Sequence, residues 1–119
     1  MSQLPTKTLT AGAALAAALI VKFDGSGNAV PATAATDLSI GVSDPTVEVA
    51  AGDRTDVTLS GLVEVKASAA IAYGASVTAA ADGKAVTAAT GNVAVGWAFS
   101  NATAADDILL IHLGRHTAA

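Results

Sequence analysis

His112 and His116 are the only imidazoles in the chain, and imidazole is the side chain that most often ligates a metal or moves a proton near neutral pH. A metal site needs three or four converging ligands, usually with carboxylates or thiolates beside the imidazoles. The chain has no cysteine. His112 alternates with Ile111 and Leu113 in an apolar run, and His116 falls in what reads as a C-terminal tail. The pair therefore reads as one packed histidine and one exposed tail residue, and no metal ligand is assigned.

Asp53 with Asp56, and Asp106 with Asp107, are the pairs of carboxylates available for acid–base work. Asp53 and Asp56 flank the start of a strand-like run, and Asp106-Asp107 precede Ile108 after the turn-like residues 101–105. Such positions suit acids that bond their own backbone, and no base or nucleophile accompanies them. Serines and threonines are plentiful, but they stand in Ala/Thr/Ser-rich segments where they solvate a sheet face rather than beside a base. Gly83-Lys84 lacks the upstream glycine of a phosphate loop, and Val86-Thr87 continue as a strand. Gly25-Ser26-Gly27 supplies only the first half of a dinucleotide fingerprint and reads as a hairpin turn. No catalytic, cofactor-binding or metal-binding residue is assigned, and the chain reads as a non-enzyme that uses no cofactor.

The bulk composition points the same way. The 119 residues suit one domain. Hydrophobic residues make up 52%, yet aromatic residues only 3% and charged residues 13%, and alanine alone is about a quarter of the chain. Alanine buries little area, so the core must rest on Val, Leu and Ile. A surface this poor in charge suits coverage by a neighbour better than life as a free monomer. The six cations Lys7, Lys22, Arg54, Lys66, Lys84 and Arg115 are scattered and the net charge is −4, which argues against nucleic acid as a partner. Phe23, Tyr73, Trp97 and Phe99 stand among Val, Ala and Gly. They read as core or subunit-interface packing, not as a base-stacking platform or a membrane belt. The apolar run 12–21 behind Lys7 is too short to span a bilayer; it passes straight into Lys22-Phe23-Asp24 without the small-residue cleavage context of a signal peptide. The lack of cysteine fits synthesis in a reducing cytoplasm.

The elements that position these residues are strands. Alanine favours helix, but glycines and Asp-Gly pairs recur too closely for long helices. Residues 19–23 and 29–32 read as a hairpin around the turn 24–28, with Pro31 confining its strand to an edge. Residues 76–79 and 84–87 read as a second hairpin around Asp82-Gly83. Residues 53–67 read as one element with a period of two: Val57, Leu59, Gly61, Val63, Val65 and Ala67 lie on one face and Thr58, Ser60, Leu62, Glu64 and Lys66 on the other, where only Leu62 breaks the polar pattern. That phase reads as one long strand bent at Gly61, with a Ser60-Gly61 hairpin as the other option. Residues 92–99 and 108–113 complete the set, the last apolar on both faces as for a strand covered on both sides. Residues 11–18 are either one helical turn or a loop. The expectation is an all-β fold, a small β-barrel or β-sandwich with short hairpins and at most one short helix. Residues 1–10 form an extended N-terminal arm and residues 11–119 a single β-rich domain.

An ordered series of segments carries a resemblance. Lys22-Phe23-Asp24-Gly25, residues 30–37 and Ile40-Gly41-Val42-Ser43 are followed by residues 51–61, Asp82-Gly83-Lys84-Ala85-Val86 and Val95-Gly96-Trp97-Ala98. In that order, from about Thr6 to Leu113, they resemble the small capsid cement (head decoration) proteins of tailed bacteriophages. The resemblance implies a structural protein of the virion, on the capsid exterior and made in the bacterial host cytoplasm. It would act as a homotrimer that binds the major capsid protein and braces contacts between its subunits. A minor tail or baseplate protein with a similar β domain is the alternative. A nucleotide-dependent recombinase, a reading of another class, lacks both phosphate loop and basic patch. The extended start, with Gln3, Leu4, Pro5 and Thr6, is the candidate capsid contact, by adding a strand to an exposed edge.

Overall fold

A computed structural model describes residues 6–44 and 46–118. The described residues contain strands and no helix. The first sheet is built from β1 (Thr6–Thr10), β2 (Ile20–Phe23), β3 (Ala29–Pro31), β4 (Ser39–Ser43) and β5 (Arg54–Thr58). The second is built from β6 (Gly61–Lys66), β7 (Ser76–Ala79), β8 (Ala85–Thr87), β9 (Val93–Ala98) and β10 (Ile108–Thr117). Both sheets are antiparallel and five-stranded, so the all-β expectation holds as two sheets rather than a closed barrel.

Both expected hairpins form. In the first, the Asp24 carboxylate accepts the Ser26 and Asn28 N–H groups at 2.8 and 2.9 Å, and Val21 pairs with Pro31, Lys22 with Val30 and Phe23 with Ala29. In the second, Val77 pairs with Thr87 and Ala79 with Ala85. Residues 11–18 take the loop alternative. Their backbone is committed elsewhere: the Ala11 N–H donates to Asp53 at 2.8 Å and Leu15 exchanges bonds with Val49 at 2.9 Å. Helix propensity is worth only tenths of a kcal/mol per residue, less than burying Ala11, Leu15 and Ala18 in the core.

Two expectations need correction. Residues 53–67 are not one bent strand, nor a hairpin: β5 and β6 lie in different sheets, and the chain crosses between them at Gly61, whose φ is +83°. The period of two survived because Val57, Val63 and Val65 each face an interior. Residues 108–113 are not covered on both sides. Leu109, Ile111 and Leu113 are buried, while Ile108 and His112 are exposed. The strand continues to Thr117, so His116 lies on a strand and not in a tail.

The two halves of the chain are built alike. The strand orders β1-β5-β4-β2-β3 and β6-β10-β9-β7-β8 are one pattern used twice. Hydrogen bonds recur at matching places: Ala11 to Asp53 and Gly52 to Ala11 in the first half are answered by Ala67 to Asp107 and Asp106 to Ala67 in the second. Gly12 to Ala29 is answered by Ser68 to Ala85, and Ser43 to Leu19 by Ala98 to Ala75. Left-handed residues match too, Ala18 with Gly74 and Gly52 with Asp106. Gly41 and Gly96 are the clearest pair. A Cβ on Gly41 would run into the Thr58 carbonyl, and one on Gly96 into the His112 carbonyl, so only glycine lets the two strands close at either place.

Burial follows the repeat. Ala11, Leu15, Val21, Ala29 and Val57 form the interior of the first half. Their counterparts Ala67, Ile71, Val77, Ala85 and Ile111 lie inside the second, in a larger cluster that also takes in Ile20, Ala32 and Val42 from the first half. The outer face of the first sheet is thus sealed by the second half. Backbone bonds from Ile20 to Gly83 and from Lys66 to Ala18 cross the same boundary.

Candidate functional site

The carboxylates weighed for chemistry act as staples. Asp107 accepts the N–H groups of Thr103 and Ala104 at 2.9 and 3.1 Å, and the Thr103 hydroxyl at 2.8 Å. Asp106, one residue away, takes the Lys84 ammonium at 2.6 Å rather than its own backbone. Asp56 accepts the Thr8 hydroxyl at 2.6 Å across the β1–β5 pair. Asp37 accepts the Thr33 and Ala34 N–H groups and lies 3.1 Å from Lys22. Lys84, the cation considered for a phosphate loop, is held by Asp106 and Asp82 at the β7–β8 turn. Among the described residues, no group of three His, Cys, Asp or Glu side chains converges on a point that would hold a metal.

Backbone bonds of this kind lower the carboxyl pKa values of Asp24, Asp37 and Asp107. Backbone donors from Asn28 and Ser26 hold Asp24 below its ordinary value, the Thr33 donor does so for Asp37, and Thr103 for Asp107. Groups whose folded pKa is depressed contribute stability above their unfolded value, and lose it as pH falls through the folded value. The melting temperature is therefore expected to hold from neutrality to about pH 5 and to fall below about pH 4. Thermal melts across a pH series check this; a melting temperature unchanged down to about pH 2 would contradict it.

The aromatic side chains are not in the core. Phe23 is 50% exposed, Tyr73 64%, Trp97 37% and Phe99 43%, so of the two roles read for them, core packing is ruled out. The core is filled by Leu, Ile, Val and Ala instead. Three of these rings, Tyr73, Trp97 and Phe99, form a ladder with both imidazoles on the outer face of the second sheet. Tyr73 stacks on Phe99 with centroids 6.1 Å apart, Phe99 on His112 at 5.6 Å, and Trp97 tilts against His112 at 6.5 Å. His116 lies parallel to the Trp97 indole at 4.1 Å and 7°. Its Nδ1–H donates to the Gly114 carbonyl at 2.8 Å, which leaves Nε2 to accept the Ser76 hydroxyl at 3.0 Å. Gly114 makes room for the indole: a Cβ there would lie 2.6 Å from Trp97 Cζ3. Neither histidine has the surroundings of a ligand or a base; both are parts of an exposed aromatic surface.

That surface is continuous with apolar residues. Leu62 on β6 pairs with His112, which pairs with Trp97 on β9, which pairs with Ser76 on β7. Leu62, at the end of this row, and Ile108, on the same strand as His112, are both exposed. A second apolar feature is a groove of about 410 Å³ lined by Phe23, Ile40, Leu59 and Leu113, with Arg115 at its rim. Arg115 reaches the Ser39 carbonyl at 3.5 Å and has no carboxylate within ion-pair distance among the described residues. Of the residues named for capsid contact, Gln3, Leu4 and Pro5 lie outside the described residues. Thr6 is exposed, opens β1 and pairs with Thr58. β1 stands at the end of its sheet order.

Comparison with known proteins adds three findings. The sequence matches the family profile described as phage cement protein over residues 2–113. No curated protein matches it. Its fold is similar to the N base of head fiber gp8.5 in bacteriophage phi29, with a TM-score of 0.71 at 20% sequence identity; the match covers 96% of this chain and 97% of that one.

Proposed function

The chain belongs to the phage cement protein family, and from that premise we propose that it decorates the outside of a phage head and braces contacts between major capsid protein subunits. The family match along nearly the whole chain carries this reading. The fold shared with a head fiber base and an exposed apolar surface unusual for a free monomer support it. A clamp needs surfaces, not reactive groups, which accords with carboxylates tied into turns and histidines stacked on aromatic rings. The working form is a homotrimer, whose three arms grip neighbouring capsid subunits at once. Multivalent attachment strengthens binding without new contacts in any one arm.

Gln3, Leu4, Pro5 and Thr6 supply the arm. They lead into β1, an end strand whose outer side has no strand partner among the described residues, so an edge of the capsid protein and this edge can pair. Thr6–Thr10 are already paired with β5; removing residues 2–10 would therefore strip a strand from the first sheet. Removing residues 2–5 alone is the cleaner test. The shortened chain is expected to keep its melting temperature and to lose at least tenfold in affinity for heads that lack the protein, measured by co-sedimentation. Full affinity after the deletion would take the arm out of the mechanism.

A further inference from the structure

The repeat assigns a role to the aromatic ladder. The row Leu62–His112–Trp97–Ser76 in the second sheet has a counterpart in the first, the row Thr6–Thr58–Val42–Ile20, with the same pairings. In the first row Val42 and Ile20 are fully buried, because the second half of the chain covers them. The residues that share that core with them include Val95 and Leu113. In the second row the matching positions, Trp97 and Ser76, reach the surface.

We propose that a second copy of this chain covers the Trp97 face, as the second half covers the first within one chain. In stacked repeats each unit presents to its neighbour the surface by which the next unit joins. The unit that would follow the second half is the first half of another copy. Its counterparts of Val95 and Leu113 are Ile40 and Leu59, and these line the apolar groove together with Phe23. Leu59 and Phe23 are exposed in the single chain. One copy therefore carries both sides of a contact: an aromatic face on its second half, and the first-half wall (Phe23, Ile40 and Leu59) of a groove whose other wall is its own Val95 and Leu113. Such a contact is heterologous, joining face to groove, and it closes into a ring when the rotation between copies divides the circle. This deepens the homotrimer proposed above and rests on that reading only for the number of copies.

Oligomeric state tests it. Purified wild-type chain, of 11.5 kDa, is expected to run as an oligomer in light scattering coupled to size exclusion. Trp97→Glu and Leu62→Glu are each expected to run as monomer, with far-UV circular dichroism unchanged. Leu62 is 54% exposed, so its variant keeps the test open if Trp97→Glu does not fold. Because the chain has no cysteine, Leu62→Cys and Leu59→Cys chains can be mixed and treated with a short bis-maleimide. Cross-links between the two variants exceeding those within either alone support the face-to-groove contact. Equal cross-linking within each single variant would overturn it, as would a monomeric wild type or an oligomer indifferent to both glutamates. Glutamate variants that stay oligomeric but no longer bind heads would assign the face to the capsid and also overturn it. Loss of head binding by a wild type that still oligomerises through this face would instead count against the capsid reading and leave the contact standing.

Discussion

Ile111→Ala is expected to cost about 2–5 kcal/mol of stability, a large part of the roughly 5–15 kcal/mol a domain has in all. Ile111 is fully buried on β10, the strand that holds β6 on one side and β9 on the other, where it pairs with Val63 and Ala98. The core contains no aromatic ring, and its many alanines add little area. The burden falls on a few branched side chains, of which Ile111, Leu109 and Ile71 are among the largest fully buried. Neighbouring strands cannot collapse into the hole without breaking their ladders, so most of the cavity should persist. Urea unfolding reads the effect as a lower midpoint at unchanged slope. A loss under about 1 kcal/mol would mean the core is looser than native packing allows.

Gly96→Ala is expected to cost about 1–3 kcal/mol, the range of an overpacked site, or to prevent folding. The added methyl would meet backbone on β10, the His112 carbonyl first and the Leu113 Cα at 3.1 Å next. Backbone cannot swing aside as a flexible side chain can, so β9 and β10 must separate there. Gly41→Ala meets the Thr58 carbonyl in the same way and should behave alike. Gly25→Ala is the control: nothing lies within 4 Å of its Cβ position, and a change within about 0.5 kcal/mol is expected. Equal stability for Gly96→Ala and Gly25→Ala would contradict the close approach.

Hairpins were legible in the sequence because local chemistry makes them. An Asp-Gly or Asp-x-x-x-Asn turn between apolar runs specifies its own register, as around Asp24 and Asp82. What escaped was set by partners distant in sequence. β1 and β4 are short, rich in Thr, Ser and Gly, and become strands by pairing with β5 and β2. The same distance hid the break at Gly61, since a period of two cannot tell which sheet a face belongs to. The repeat had a visible trace, Ala11-Gly12-Ala13-Ala14-Leu15-Ala16 against Ala67-Ser68-Ala69-Ala70-Ile71-Ala72, which low-complexity alanine makes easy to pass over. The aromatic ladder joins Tyr73, Trp97, Phe99, His112 and His116 from three places in the chain. Only the pairing of β9 with β10 brings most of them together.

A reconstruction of the phage particle that carries this chain tests the capsid role most directly. Density for a domain of two stacked sheets is expected on the outer surface of the head, seated over the junctions between major capsid subunits, and is expected to be absent from heads made without the chain. Density at the tail or baseplate, or a bare outer shell in particles made with the chain present, would contradict it.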